Sequence, residues 1–438
     1  MASRDNDTIF ARSSGNGRAG IAVWRISGPK AAAVLEALIG ALPEPRVATY
    51  GNFSDDNEQT IDDGLCLWFP GPNSATGDDV AELHLHGSPA VGTRLAQWLG
   101  TKGLRPADPG EFTLRSLTNG KMDLLEVEGL GDLLEAETEA QRQQALLNRS
   151  GEGREQADHW RGDLISVLGV LEAAVDFPDE EDIPADIAAR AIPTLEKVCA
   201  DMKSALADAV RGGRLREGIK LAILGPPNAG KSSLLNRLVG EDRAIVSDIA
   251  GTTRDVVTAS LDIKGRLVHI LDTAGLRPQT DDIIEQEGMA RSLKAGAGAD
   301  LVLWVSEAAN PEPVPASLAE AVPVLPIFNK VDIGTPPTDA DGLLLSVTTG
   351  AGWDAFMTSV EEVMEMAASP TLFPRERQQL LLARAVALLD AVLDHPAKEP
   401  ELLSEEVRGA LHQLEQLVGQ VTPDHVLGAI FSSFCIGK

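Results

Sequence analysis

The chain has 438 residues, too many for one ordinary hydrophobic core, so two or three domains are expected. Its 66 acidic residues outnumber 38 basic ones, a formal net charge of −28, which repels phosphate backbones at long range and leaves any nucleic-acid contact to a local basic patch or a basic partner. No run approaches about eighteen apolar residues, the start Met1-Ala2-Ser3-Arg4 lacks the pattern of a secretory leader, and Cys66, Cys199 and Cys435 are too scattered for a disulfide framework or a metal site; a cytoplasmic protein with no membrane span is expected.

The first stretch mixes short β-rich runs with turns. Ile21–Ile26 reads as a strand ending at Ser27-Gly28-Pro29, and Gly64–Phe69 as another closed by Pro70-Gly71-Pro72. Val80–His86 alternates in the strand manner, whereas Ala31–Ile39 and Val91–Leu99 have helical spacing. An α+β domain over 1–118 is the expectation. From residue 119 the texture is helical: Leu124, Leu125, Leu130, Leu133 and Leu134, then Leu164, Val167, Leu168 and Leu171, then Ile192–Val210, with an acidic break at 176–182. Helical character returns at Gln378–Leu393 and Leu402–Val418. The simplest arrangement is a helical domain in two parts, 119–213 and 371–438, interrupted by an inserted α/β domain over 214–370. Arg211-Gly212-Gly213-Arg214 reads as the hinge into the insertion.

Within the insertion, the apolar strand Ile219–Leu224 runs into Gly225-Pro226-Pro227-Asn228-Ala229-Gly230-Lys231-Ser232, a phosphate-binding loop opening a helix through Leu234, Leu235 and Leu238. Its glycines let backbone N–H groups turn toward a phosphate at the positive end of a helix. Lys231 would bridge the β- and γ-phosphates, and Ser232 would be a Mg²⁺ ligand. Asn228, Ala229, Gly230 and Ser233 complete the loop's expected nucleotide contacts. Downstream, Ser247-Asp248-Ile249-Ala250-Gly251-Thr252-Thr253 supplies Thr253 as the second Mg²⁺ hydroxyl. A hairpin expected at Lys264-Gly265 returns a strand, Leu267–Leu271, into Asp272-Thr273-Ala274-Gly275. Asp272 would hold a Mg²⁺-bound water there, and the Gly275 N–H would face the γ-phosphate. Two buried strands follow, Asp300–Val305 and Val322–Phe328, and the second delivers Asn329-Lys330-Val331-Asp332. The Asp332 carboxylate can accept two hydrogen bonds from guanine, donors that adenine lacks, and sites built this way reject the wrong analogue by roughly 10⁴-fold. Ser346-Val347-Thr348 stands where a base-backing loop belongs, departing from the usual Ser-Ala-Lys form. Four ordered motifs of this kind point to a Ras-like P-loop GTPase fold binding GTP and Mg²⁺.

Ras-like enzymes orient the attacking water with a glutamine after Asp-x-x-Gly; Leu276 occupies that position here and cannot hydrogen-bond. Glu285 is the candidate replacement and, with Lys231, the candidate catalytic pair; the residues by themselves favour reading Glu285 as one solvated carboxylate among several. No arginine finger is evident. Asn228, with backbone carbonyls around Ser247 and Ile249, offers a monovalent-cation site that would neutralise developing charge, although Asn228 also reads as a plain loop residue.

Outside the insertion, the segments Arg25-Ile26-Ser27-Gly28, Leu67 to Ser74 (Leu-Trp-Phe-Pro-Gly-Pro-Asn-Ser), Pro109-Gly110-Glu111-Phe112-Thr113, Asn119 to Leu124 (Asn-Gly-Lys-Met-Asp-Leu), Asp176 to Glu181 and the terminal Phe431 to Lys438 resemble the bacterial tRNA modification GTPase family MnmE (TrmE) along nearly the whole chain. The resemblance implies a homodimer built through a folate-binding-like N-terminal domain that takes a formyl-tetrahydrofolate, with Arg25, Glu82, Lys121 and Lys438 matching the folate contacts. It makes Asn228, Ser247, Ile249 and Thr252 the potassium (K⁺) site, Glu285 the catalytic glutamate, and Cys435 a thiol near the one-carbon site, where an unreactive thiol is the alternative. It also implies an FAD-dependent partner, MnmG (GidA), with which the family installs an aminomethyl-type group on carbon-5 of the tRNA wobble uridine. The acidic balance fits tRNA bound largely through that partner. His86-Gly87-Ser88 departs from the family's His-Gly-Gly. The competing function is an RNA- or ribosome-associated GTPase switch, which calls for a basic module that the acidic flanks do not provide; a membrane-remodelling GTPase lacks its lipid-contacting stretch.

Overall fold

The computed structural model describes residues 7–176, 187–240, 257–271, 296, 298–336, 341–395, 399–421, 424–432, 434 and 436–437. The chain packs as two units, one of Met1–Gly131 with Leu414–Lys438 and one of Asp132–Gln413.

In the first unit, β1 (Ile9–Arg12), β2 (Ala19–Ser27), α1 (Ala31–Ile39), β3 (Thr49–Ser54), β4 (Thr60–Phe69), β5 (Val80–Gly87), α2 (Pro89–Thr101), β6 (Arg105–Pro106) and α3 (Glu111–Thr118) follow in order. The strands form a sheet in the order β3-β4-β5-β2-β1-β6, antiparallel throughout except for the parallel β1–β6 pair. Period-two alternation decides which side chains meet the helices. Ala81, Leu83 and Leu85 of β5 turn inward with Cys66 and Trp68, packing on Leu35 and Leu38 of α1 and Leu95 and Leu99 of α2. Glu82, His84 and His86 therefore share the opposite face. Within this unit the chain's last residues return to the start: Ile436 bridges Pro109, and the Phe431 and Phe434 rings pack 5.8 Å apart.

The helix α4 (Leu124–Glu135) carries the chain into the second unit. There α5 (Glu139–Arg149), α6 (Glu152–Asp176) and α7 (Ile192–Glu217) precede β7 (Ile219–Leu224), α8 (Lys231–Gly240), β8 (Val257–Ile263), β9 (Arg266–Leu271), β10 (Leu301–Glu307), β11 (Val324–Asn329), β12 (Leu343–Leu344) and α9 (Trp353–Ala367). The helices α10 (Glu376–Leu393) and α11 (Pro400–Val418) follow. The strand order β12-β11-β10-β7-β9-β8 is parallel except for the antiparallel β8–β9 hairpin, which turns through Lys264-Gly265 as expected. Because β7 and β10 are covered on both faces, their sequences are mostly apolar, Lys220 of β7 and Ser306 and Glu307 at the end of β10 being the exceptions. Leu221, Ile223, Leu303 and Val305 join one core with Phe356, Val360 and Met364 of α9; Ala222, Leu224, Val302 and Trp304 join another under Leu318. Each fully buried side chain of this size contributes about 1.5–3 kcal/mol of transfer free energy.

The expected hinge at Arg211-Gly212-Gly213-Arg214 is corrected: α7 runs unbroken through it to Glu217, and the turn comes at Gly218. The glycines serve closeness instead. A Cβ at Gly212 would strike the Thr371 hydroxyl, and one at Gly213 would stand 3.0 Å from the Pro374 carbonyl oxygen. The segment leaving the α/β region thus lies directly against the helix that leads into it. Gln144 fixes the same crossing, donating to the Thr371 carbonyl at 2.7 Å and accepting from its N–H at 2.9 Å.

Asp132 closes the junction. Its carboxylate, 6% exposed, accepts from Arg216 at the end of α7 and from Arg375 at the start of α10, both at 2.7 Å. One buried anion therefore ties the strands' incoming and outgoing connections together. Removing it leaves two half-buried guanidiniums short of a partner, and breaking buried pairs costs about 3–5 kcal/mol before screening at the partly exposed arginines reduces it. Asp132→Ala is expected to lower the urea midpoint of this unit by an amount equivalent to about 2–3 kcal/mol; a midpoint unchanged within error would show that the ion pairs are dispensable.

Candidate nucleotide-binding site

The phosphate loop leaves the carboxyl end of β7 where the topology switches sides: the chain goes from β7 to β9 on one flank and to β10 on the other. Crevices at such switch points, outside the strands' carboxyl ends, are where open α/β sheets bind ligands. Gly225 to Gly230 forms the loop, with Asn228 exposed and left-handed at φ 62°, and α8 begins at Lys231. The backbone N–H groups at the start of α8 have no intrahelical acceptor, as at any helix start, and form a ready anion site. Ser232 and Ser233 are exposed on this first turn.

Lys231 folds back over the loop, donating to the Gly225 carbonyl at 2.8 Å and the Pro226 carbonyl at 2.7 Å. Burial pulls its pKa below the ordinary lysine value, against the opposing negative charge of Glu312. A cation held against neutral carbonyls in a partly desolvated loop is matched to an incoming polyanion, which would favour the charged form.

Asn329 joins the two halves of the site. It ends β11, is 3% exposed, donates through Nδ2 to the Ala229 carbonyl at 2.8 Å and accepts the Val347 N–H at 3.1 Å. One amide thus fixes the phosphate loop on one side and Ser346-Val347-Thr348 on the other. Gly230 is left-handed at φ +96°, and a Cβ there would collide with the Asn329 Nδ2. Lys330 is left-handed too, at φ 65°, and pairs with Glu307. Asp332 stands exposed in the turn that follows, where Ile333 N–H and Gly334 N–H both donate to the Lys330 carbonyl. The structure therefore brings Asn228, Ala229, Gly230, Lys231, Ser232, Asn329 and the 346–348 loop to one end of the sheet. Of the other expected residues, Ser247, Asp248, Ile249, Ala250, Gly251, Thr252, Thr253, Asp272, Thr273, Ala274, Gly275 and Glu285 lie outside the described residues, as does Leu276.

In the first unit, Arg25 of β2 and Glu82 of β5 are direct cross-strand neighbours. Arg25 donates to Glu82 Oε1 at 3.0 and 2.7 Å and lies 5.7 Å over the Phe112 ring. Glu82 also lines a cavity of about 370 Å³ with Arg46, Phe69, Asn73, Ser74, Ala75 and Val80. Arg46 stacks 5.6 Å over Phe69 and bonds the Asn73 carbonyl. Lys121 is exposed in the turn after α3, its N–H donating to the Ser116 carbonyl at 2.7 Å; Cys435 and Lys438 lie outside the described residues. Sequence reading missed Arg46, which has no motif around it, and gave Phe69, Asn73 and Ser74 no role although their motif was visible. Their meeting with Glu82 depends on the β4–β5 register, Phe69 opposite Val80.

No helix among the described residues is long and apolar enough to cross a membrane. The profile of the MnmE helical domain matches residues 124–435, and that of the GTP-binding protein TrmE N-terminus matches residues 8–121. The tRNA modification GTPase MnmE of Beijerinckia indica is 46% identical over 437 residues, covering 99% of this chain and 96% of that protein. The MnmE of Azorhizobium caulinodans is 46% identical over 441 residues, covering 99% of this chain and 100% of its own. Among solved structures, the G domain of the T. maritima FeoB iron transporter is 25% identical over 33% of this chain and 98% of that chain, but its TM-score of 0.24 carries no weight. On a profile matched over more than half its residues and on full-length relatives at this identity, the chain belongs to the MnmE family of tRNA modification GTPases.

Proposed function

We propose that this chain hydrolyses GTP to drive modification of carbon-5 of the tRNA wobble uridine, acting as a homodimer with an FAD-dependent partner, MnmG (GidA). The observation that carries the nucleotide half of this reading is the Asn329 amide, 2.8 Å from the Ala229 carbonyl and 3.1 Å from the Val347 N–H, since it holds a phosphate loop and a base loop in one register. Membership of the family supports the tRNA half.

In the proposed mechanism, Lys231 leaves the Gly225 and Pro226 carbonyls for the β- and γ-phosphate oxygens, exchanging neutral acceptors for charged ones. The N–H groups opening α8 take the remaining phosphate oxygens. Asp332 accepts from guanine and so excludes adenine. Ser232, exposed on the first turn of α8, and Thr253 would hold Mg²⁺, which neutralises charge between the phosphates when bound. Asn228, exposed beside them, would hold K⁺ with Ser247, Ile249 and Thr252, and that ion supplies positive charge where an arginine finger otherwise would. Glu285 orients the attacking water in place of the glutamine that Leu276 replaces.

The same proposal places formyl-tetrahydrofolate in the first unit, on Arg25, Glu82, Lys121 and Lys438, with Cys435 near its one-carbon group. The residues suit such a ligand: a cavity of about 370 Å³ has a carboxylate on its wall for pterin N–H groups. Arg25 already takes Glu82 Oε1, which leaves Oε2 as the acceptor available to the ligand. With a net charge of −28, the chain leaves most tRNA binding to its partner.

Hydrolysis measured in potassium and in sodium at equal ionic strength tests the cation. Strong potassium stimulation is expected, lost in Asn228→Ala; in Glu285→Ala turnover should fall by about 10²-fold or more with GTP affinity kept. Equal rates in both salts with both variants unimpaired would reject the cation-activated mechanism. For the first unit, Glu82→Gln is expected to weaken calorimetric binding of 5-formyl-tetrahydrofolate by about tenfold or more, the scale of one charge-assisted hydrogen bond. Unchanged affinity would remove Glu82 from the site.

A further inference from the structure

Resting on the nucleotide-site reading, we propose that Arg237 is a positioning residue for guanine recognition: from the phosphate-loop helix it locks the base-backing turn in place. Arg237 lies on α8, whose first residue is Lys231. Its guanidinium sits 4.4 Å over the Trp353 ring at the start of α9 and donates through Nη1 to the Val347 carbonyl at 2.6 Å. The turn it holds is tight: Gly350 N–H donates to the Ser346 carbonyl at 2.8 Å and Ser346 N–H to the Ala351 carbonyl at 2.9 Å. Gly350 is left-handed at φ +87°, and a Cβ there would stand only 3.0 Å from Arg237 Nη2. Glycine at this position thus serves both the turn and the guanidinium's seat.

Both polar backbone groups of Val347 are consequently fixed from outside the turn. Its N–H is held by Asn329, and its carbonyl by Arg237. The two anchors come from different parts of the site, one from the strand that leads to Asp332 and one from the helix that starts at the phosphates. Stacking on an aromatic ring while donating in plane is a task for the planar guanidinium, and lysine cannot do both. The turn carries Val347-Thr348 where Ras-like loops carry Ala-Lys, so no lysine from the loop itself is available to brace the base side. Arg237 supplies the brace from below. A turn ordered before the ligand arrives does not charge its ordering cost to binding.

The test uses the full chain, a fluorescent GDP analogue, steady-state GTP hydrolysis, and inorganic pyrophosphate as a competitor that needs the phosphate loop alone. Arg237→Ala is expected to raise the GDP dissociation constant and the KM for GTP together by about tenfold, kcat staying within about twofold, because uniform binding is lost. Competition by pyrophosphate should not change. Arg237→Lys should recover part of the loss, through the hydrogen bond without the stack. Three results overturn the inference: GDP affinity in Arg237→Ala within about twofold of the parent, a fall in kcat at unchanged KM, or equal weakening of GDP and pyrophosphate, which marks a damaged α8. Failure of the parent chain to bind GDP at all would instead sink the nucleotide-site reading itself.

Discussion

The buried amide of Asn329 is the contact on which the proposed nucleotide site depends. It joins two loops that lie 118 residues apart in the chain: Ala229, before α8, and Val347, after β12, with separations of 100 and 18 residues from Asn329. Left alone, each loop would be a mobile connection at the end of the sheet. Held by one side chain whose donor and acceptor are both used, they are fixed relative to each other. The arrangement is also unforgiving. A buried amide left with one unmade bond costs about 1–3 kcal/mol, so side chains that fill the space but lose a donor or acceptor would not substitute.

The wider architecture keeps those loops supported. The parallel strands that carry the loops are covered on both faces, so their carboxyl ends are held by two separate apolar cores rather than one. Where the α/β region joins its helices, Asp132 binds Arg216 and Arg375, and Gln144 binds both the N–H and the carbonyl of Thr371. The hairpin is tied in as well: Ala140 N–H of α5 donates to the Gly265 carbonyl at 2.9 Å. Polar contacts with fixed geometry thus hold the junction, while apolar packing holds the sheet.

Much of this was legible in the sequence, and the reasons differ by element. The strand Ile219–Leu224 has the same bounds in the sequence reading and the structure, because an apolar run closed by a glycine-bearing loop has few alternatives. The turn at Lys264-Gly265 was equally plain, since it needs a left-handed glycine and has one, at φ 81°. Gly212 and Gly213 misled, because a glycine pair reads as a break unless one knows that Thr371 and Pro374 pack against it. The Asp132 clamp and Arg237 were invisible for a similar reason: their partners lie up to 243 residues away, and no local pattern marks them. In the first unit, Arg25 and Glu82 rested on family resemblance alone, and their pairing came only with the β2–β5 register. Motifs read well where the chemistry is contiguous in the chain; tertiary anchors do not.

The most direct test of the central claim, a guanine site built across the Asn329 bridge, is competition between nucleotides. The full chain is loaded with a fluorescent GDP analogue in magnesium and potassium, and unlabelled GTP and ATP are titrated separately. The expected result is displacement by GTP at stoichiometric to micromolar levels and none by ATP at concentrations about 10³-fold higher, as the Asp332 carboxylate requires. Displacement by ATP at concentrations similar to those of GTP would contradict the account, because the loops would then hold phosphates without reading the base.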